Sequence, residues 1–355
     1  MSLAMRVINQ VPRALVRRLS TSPLHAAIPL DFNNIPAANA AGPSLRYSAS
    51  LLPLPIALGQ PHRGPDQAPH ALVEQGLLRM LGDAGWDVSM LPQISADLTA
   101  TSSPRPNGGG LNAKNCREIG RVCEAISKAT FQQALDPDNF VLILGGDHCI
   151  PIGTIPGLVA ARPSTGVVWV DAHADLNTPS SSGSGNMHGM PLGFLLGLVE
   201  NPTAYPAFQW FKPCLQPKDM VYIGLRDIDA PEKLAIRRLG IKTFSMHDVD
   251  RLGIVKVMEM TNDHLAKHKH LHLSYDIDAL DPVHAPSTGT TVRGGLTFRE
   301  GKYITDDLAA SGKLTSMELV EVNPMLSSDL DAKTTIDMAL TLIKSAMEKT
   351  SPRYA

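Results

Sequence analysis

Downstream of residue 50 the chain alternates short apolar runs with longer amphipathic stretches. The apolar runs are LLPLPIAL (51–58), FVLIL (140–144), VVWV (167–170), MVYIG (220–224), LHLSY (271–275) and MELVEV (317–322). Their length and β-branched content predict strands buried on both faces. Between them, Ile119, Val122, Cys123 and Ile126 follow the i, i+3, i+4, i+7 spacing of a helix over 113–132. Segments 252–267 and 331–349 carry the same helical period. Alternation of buried strands with amphipathic helices predicts an α/β fold, a mainly parallel sheet covered by helices on both faces in three layers. No internal repeat and no linker interrupts the pattern after residue 50, so residues 51–355 read as one catalytic domain.

The first residues differ in kind. Arg6, Arg13, Arg17 and Arg18 lie among hydroxyl-bearing and apolar residues, with no acid before residue 31. This is the composition of a mitochondrial transit peptide, predicted over residues 1–25, and it places the mature protein in the mitochondrial matrix. The alternative is a cytoplasmic protein with a basic tail. Residues 26–50, rich in Ser, Pro, Ala and Asn, read as a processing region and linker. No stretch reaches the roughly 20 apolar residues needed to cross a bilayer, so no membrane partner is expected. The whole chain carries 32 basic and 34 acidic side chains, and the arginine-rich start leaves the body acidic. That balance gives no footprint for nucleic acid. Cys116, Cys123, Cys149 and Cys214 show no CxxC pair and read as reduced thiols.

Chemistry is to be sought just after the strands, because open parallel sheets place their sites beyond the carboxyl ends. Gly-Gly-Asp147-His148 follows the second apolar run, and Asp171-Ala-His173-Ala-Asp175 follows VVWV. Asp276-Ile-Asp278 follows LHLSY, and Glu321 closes MELVE. Residues two apart on a strand share a face, which predicts that Asp171, His173 and Asp175 converge, as do Asp276 and Asp278. Asp281 falls on the opposite parity and reads as a turn residue. Desolvated carboxylates at strand ends are costly unless positive charge meets them, and these segments hold few lysines or arginines. Two divalent ions satisfy such a set. A carboxylate-dominated shell with one histidine per ion suits Mn²⁺.

GGDH (145–148), DAHAD (171–175) and SYDIDALDP (274–282) together resemble the three signatures of the ureohydrolase family of arginases and agmatinases, and the likeness spans nearly all of residues 51–349. The resemblance implies two Mn²⁺ per subunit. His148, Asp171, Asp175 and Asp276 would hold one ion, and His173, Asp171, Asp276 and Asp278 the other. It implies catalytic roles for His188 as proton shuttle, Glu321 as guanidinium acceptor in preference to Glu318, and Asp175. A hydroxide bridging the two ions would attack the guanidinium carbon. It further implies substrate contacts from Asn177, Ser184, Asn186, Asp229, Glu232 and Thr290, and a homotrimer. The loop DLNTPSSSGSGNMHG keeps the length and polar pattern found in arginases, so L-arginine is the expected substrate, hydrolysed to L-ornithine and urea. The alternative is agmatine or another guanidino compound.

Overall fold

The computed structural model describes residues 47–95 and 112–348. The predicted transit peptide and most of the predicted linker lie outside the described residues. In chain order the elements are β1 (Tyr47–Leu54), α1 (Ala68–Glu74), α2 (Leu77–Asp83), β2 (Trp86–Met90), α3 (Cys116–Ala134) and β3 (Phe140–Gly145). Next come α4 (Pro151–Ala161), β4 (Thr165–Val170), α5 (Pro191–Leu195), β5 (Met220–Leu225), α6 (Ala230–Leu239) and β6 (Lys242–Ser245). The last are α7 (Met246–Leu252), α8 (Ile254–His264), β7 (His270–Asp276), α9 (Phe298–Ala310), β8 (Leu314–Val320) and α10 (Asp329–Ala346).

The strands form one eight-stranded sheet in the order β2-β1-β3-β8-β7-β4-β5-β6, and every neighbouring pair is parallel. Side chains alternate between two cores. In β4, Val168 and Val170 enter the core shared with Met258, Ile304 and Leu342 of α8, α9 and α10. Val167 and Trp169 enter the opposite core, with Ile126 of α3 and Ile155 of α4. Both faces are therefore covered, so β3 and most of β4 read as apolar runs, while β7 and β8 interleave buried His272, Ser274, Ser316 and Glu318.

The differences from the sequence reading have local causes. β1 begins at Tyr47, inside the segment read as linker, runs through Pro53 and ends at Leu54, short of the apolar run's end at residue 58. β2 and β6 have no counterpart among the predicted strands. They are the two edges of the sheet, and their alternating or half-exposed positions dilute the apolar signal. The helix expected over 252–267 is α8, shorter at both ends, and Gly253 at φ 75° separates it from α7, which the sequence reading did not include. α10 starts at Asp329, capped by the Ser328 hydroxyl, which accepts from Asp331 N.

A buried histidine–glutamate pair lies inside this sheet. His272 of β7 and Glu318 of β8 are both 0% exposed, with Nε2 and Oε1 3.1 Å apart. Thr154 Oγ1 of α4 donates to the other oxygen of Glu318 at 2.7 Å. Burial alone would raise the Glu318 carboxyl; His272 and Thr154 outweigh it and hold it below the usual range. Glu318 thus ties three elements beneath the sheet's carboxyl end. Replacing it with Ala strands a buried imidazole, so Glu318→Ala should lower stability by about 3–5 kcal/mol in denaturant titration. A loss of less than about 1 kcal/mol would show that the pair contributes no more than an exposed one.

Candidate metal centre

The four strands in the middle of the sheet, β3, β8, β7 and β4, each end in a polar cluster. After β3 the backbone folds close to the end of β1. Asp147 N donates to Ile56 O at 2.8 Å, and a Cβ on Gly146 would lie 1.8 Å from that oxygen, so only glycine fits. Asp147 turns aside, its oxygens accepting from Gly59 N at 2.6 Å and Cys149 N at 2.9 Å. His148 points inward and stacks on Trp169 at 4.2 Å.

β4 ends at Val170, so Asp171, His173 and Asp175 lie beyond the strand. Strand alternation does not bring them together, contrary to the parity argument. Asp171 Oδ1 accepts from His173 N at 2.7 Å, an Asx-type turn, and Asp175 takes a left-handed φ of 48°. The same device recurs after β7, where Asp276 Oδ1 accepts from Asp278 N at 2.8 Å. Period two and an Asx turn give one outcome by different geometry. Asp281 does serve a turn, accepting from Val283 N and Gly294 N.

These turns aim the side chains at two adjoining points. His148 Nδ1 lies 3.1 Å from Asp171 Oδ2, 3.0 Å from Asp175 Oδ2 and 3.2 Å from Asp276 Oδ2. His173 Nδ1 lies 3.1 Å from Asp278 Oδ2 and 3.5 Å from Asp171 Oδ1. Two sets of donor atoms converge closely enough for an ion, His148–Asp171–Asp276 and Asp171–His173–Asp278. Asp171 belongs to both, one oxygen to each. Asp276 enters the first set through Oδ2, while its Oδ1 accepts from Asp278 N as Asp171 Oδ1 does from His173 N.

Electrostatics point the same way. Burial pushes Asp175 up to about 6, reinforced by Asp171, and carries Asp276 well above the carboxylate range, reinforced by Asp278 and Asp171. Arg226 attracts Asp278 and Asp171 only through space, since its guanidinium donates to the carbonyls of Gly224, Asp278, Ala279, Leu280 and Val292. His148 Nδ1 is buried without a hydrogen bond of acceptable geometry, though three carboxylate oxygens surround it. Lone pairs facing a common point suit a cation there.

A cavity of about 330 Å³ opens above this floor. Its lining includes His173, Asp175, Asn177, Ser184, Asn186, His188, Asp229, Glu232, Asp276 and Thr290. His148, Asp171, Asp278 and Glu321 lie beneath it, each 1% exposed or less. Glu321 sits at φ 63°; its Oε1 accepts from His148 N at 2.9 Å and faces His188 Nδ1 at 3.1 Å, and its Oε2 accepts from Gln60 Nε2 at 2.9 Å. Burial disfavours a charged His188, but the contact with Glu321 prevails and raises it to about 9. Glu232 caps α6: its oxygens accept from Leu176 N and Asp229 N, and burial pushes it up to about 7. Asp229 in turn accepts from Asn177 Nδ2 at 2.9 Å, and Thr290 Oγ1 donates to Asp278 Oδ2 at 3.0 Å.

Sequence reasoning missed Asp227, Ser182, Gly183 and Gly189 on the lining, and Gln60 and Trp169 beneath it. Gln60 and Asp227 are early polar residues after β1 and β5, so the strand-end rule could have found them. Trp169, whose Nε1 donates to Asp171 Oδ2 at 2.9 Å, was indistinguishable from core.

The sequence matches the Arginase family over residues 47–348. Human "Arginase-2, mitochondrial" is 42% identical over 308 residues, covering 86% of this chain and 86% of the human protein. The crystal structure of arginase from Bacillus caldovelox superposes with a TM-score of 0.78 at 37% identity, over 86% of this chain and 99% of that one. Entamoeba histolytica arginase, solved in complex with L-ornithine, gives a TM-score of 0.76 at 31% identity, over 85% and 98% of the two chains. With the whole described domain matched in sequence and in fold, this chain belongs to the arginase family and is a hydrolase of that family.

Proposed function

We propose that this protein hydrolyses L-arginine to L-ornithine and urea with two Mn²⁺ held at the carboxyl end of the sheet. The observation that carries this reading is the doubled donor set sharing Asp171, placed under a cavity with an acidic lining. His148, Asp171, Asp175 and Asp276 would hold one ion, and His173, Asp171, Asp276 and Asp278 the other. A shell of carboxylates with one imidazole per ion favours Mn²⁺ over thiolate-seeking metals. When bound, such a pair supplies Lewis acidity that turns water into a nucleophile near neutral pH.

The chain's own residues supply the remaining chemistry. With Nδ1 of His148 directed at the centre, its Nε2 proton is held by Ser274 Oγ at 2.9 Å, which sets the tautomer. Glu321 offers the guanidinium a charge-assisted acceptor. A guanidinium competing for Glu321 Oε1 displaces His188 Nδ1, whose proton is then free for the departing amine. At the other end of the substrate, Asp227, Asp229 and Glu232 attract the α-ammonium, and Asn177, Ser184 and Asn186 face the α-carboxylate. Agmatine lacks that carboxylate and would leave those donors unpaired.

The arginine-rich start supports import into the mitochondrial matrix and removal of residues 1–25, and the human relative of similar length bears a mitochondrial name. By family resemblance the working unit is a homotrimer, with a small-molecule substrate as the ligand.

Urea release from arginine and from agmatine after Mn²⁺ loading tests the assignment directly. Turnover of agmatine alone would overturn it. Asp171→Asn should abolish both activity and bound Mn²⁺, read by elemental analysis, because its two oxygens serve both ions. Retention of two tightly held ions in that variant would refute the ligand set. His188→Asn should keep both ions and lose roughly 10²-fold or more in kcat, the scale of a missing general acid. Residues 1–40 fused to a fluorescent protein should direct it to mitochondria; a cytosolic signal would exclude the targeting role.

A further inference from the structure

The segment leading into α3 lies against the 182–186 loop at the cavity rim. Asn112 Nδ2 donates to Ser182 O at 2.6 Å, and Lys114 N donates to Gly185 O at 2.8 Å. Asn115 Nδ2 ties the same segment to Leu58 O at 2.8 Å. These contacts dock the segment without any help from a charge. Lys114 adds one nonetheless: its Nζ donates to Asn186 Oδ1 at 3.0 Å.

The charge has two consequences. Among the described residues the cavity lining carries Asp175, Asp227, Asp229, Glu232 and Asp276 and no lysine or arginine. A substrate bearing a carboxylate is repelled by such a wall unless a cation stands nearby. An ammonium also has donors only, so it claims the carbonyl oxygen of Asn186 and leaves that amide's N–H groups to other partners. Those are the groups that an incoming carboxylate accepts from.

We infer that Lys114 is a specificity-determining residue, selecting guanidino substrates with an α-carboxylate over their decarboxylated analogues. It does so by orienting Asn186 and by lending positive charge to an acidic cavity. The inference rests on the reading of L-arginine as substrate. It also assigns a role to a side chain on the α3 side of the sheet, remote in sequence from every signature motif.

The test compares the Mn²⁺-loaded full chain with Lys114→Met and Lys114→Arg. Two measurements are made: urea release from arginine and agmatine, and calorimetric binding of L-ornithine and putrescine. Lys114→Met should lower kcat/KM for arginine and weaken ornithine binding about fivefold, the upper range for an exposed charge pair, with agmatine and putrescine changed by no more than about twofold. Loss on arginine should appear in KM, and Lys114→Arg should restore most of it. An equal loss for both members of each pair means Lys114 merely holds the loop, which overturns the inference. So does the absence of any change. If the wild-type chain released no urea from arginine, the substrate reading would fall by itself. The ornithine-to-putrescine binding ratio would still decide the role of Lys114.

Discussion

Buried negative charge governs this structure. Asp171, Asp175, Asp276 and Asp278 meet within a few ångströms of one another at a depth where none is more than 7% exposed. Desolvated carboxylates at that spacing cannot all ionise without compensation. Within the protein that compensation falls to His148 and His173, which the carboxylates hold well above the ordinary histidine range against the opposing effect of burial, while Arg226 is turned to backbone carbonyls and acts from farther off. Two donor sets that converge at this depth suit a cradle for cations. Ions binding the native state and not the unfolded one would add to the stability of the fold.

Much of the nearby architecture holds this arrangement in place. Trp169 donates to Asp171, Ser274 meets His148, and Thr290 donates to Asp278, so each inward group is held by a second one. Two of the residues concerned, Asp175 and Glu321, adopt left-handed backbone angles without being glycine. Such conformations persist only when the surroundings over-determine them. Here they do: Glu321 is held by His148 N and Gln60, and Leu192 N donates to Asp175 O at 3.0 Å. The polar pair His272–Glu318 braces β7 and β8 from below, on the same strands that carry Asp276 and Glu321.

The cavity lining joins residues of the proposed metal centre, the carboxylates Asp227, Asp229 and Glu232, and the hydroxyls and amides of the loop after β4, with Asn177 bonded to Asp229. A molecule with a cation at one end, and an ammonium and a carboxylate at the other, complements each part. Glu232 belongs to the acidic wall and to the fold at once, since it caps α6 while holding Leu176 N. A single carboxylate thus sets the position of the wall relative to the loop after β4.

The chain's order of apolar runs determined the layered parallel fold, because strands buried on both faces are largely apolar. The clusters at the ends of those runs determined which residues carry chemistry, since the carboxyl edge of a parallel sheet is where polar side chains can converge. What the sequence could not show is how they converge. Asp171, His173 and Asp278 are aimed by Asx turns and a left-handed residue, geometry that period-two counting does not contain. Edge strands β2 and β6 were illegible because half-exposed positions carry no apolar signature. The start of the helix expected over 252–267 depended on one glycine, Gly253, whose φ only the folded chain reveals. Gln60, Asp227 and Lys114 became visible only when loops far apart in sequence were brought to one cavity. Local pattern decides burial and element type; the pairing of distant loops is decided by the packing of the whole sheet, which no single segment encodes.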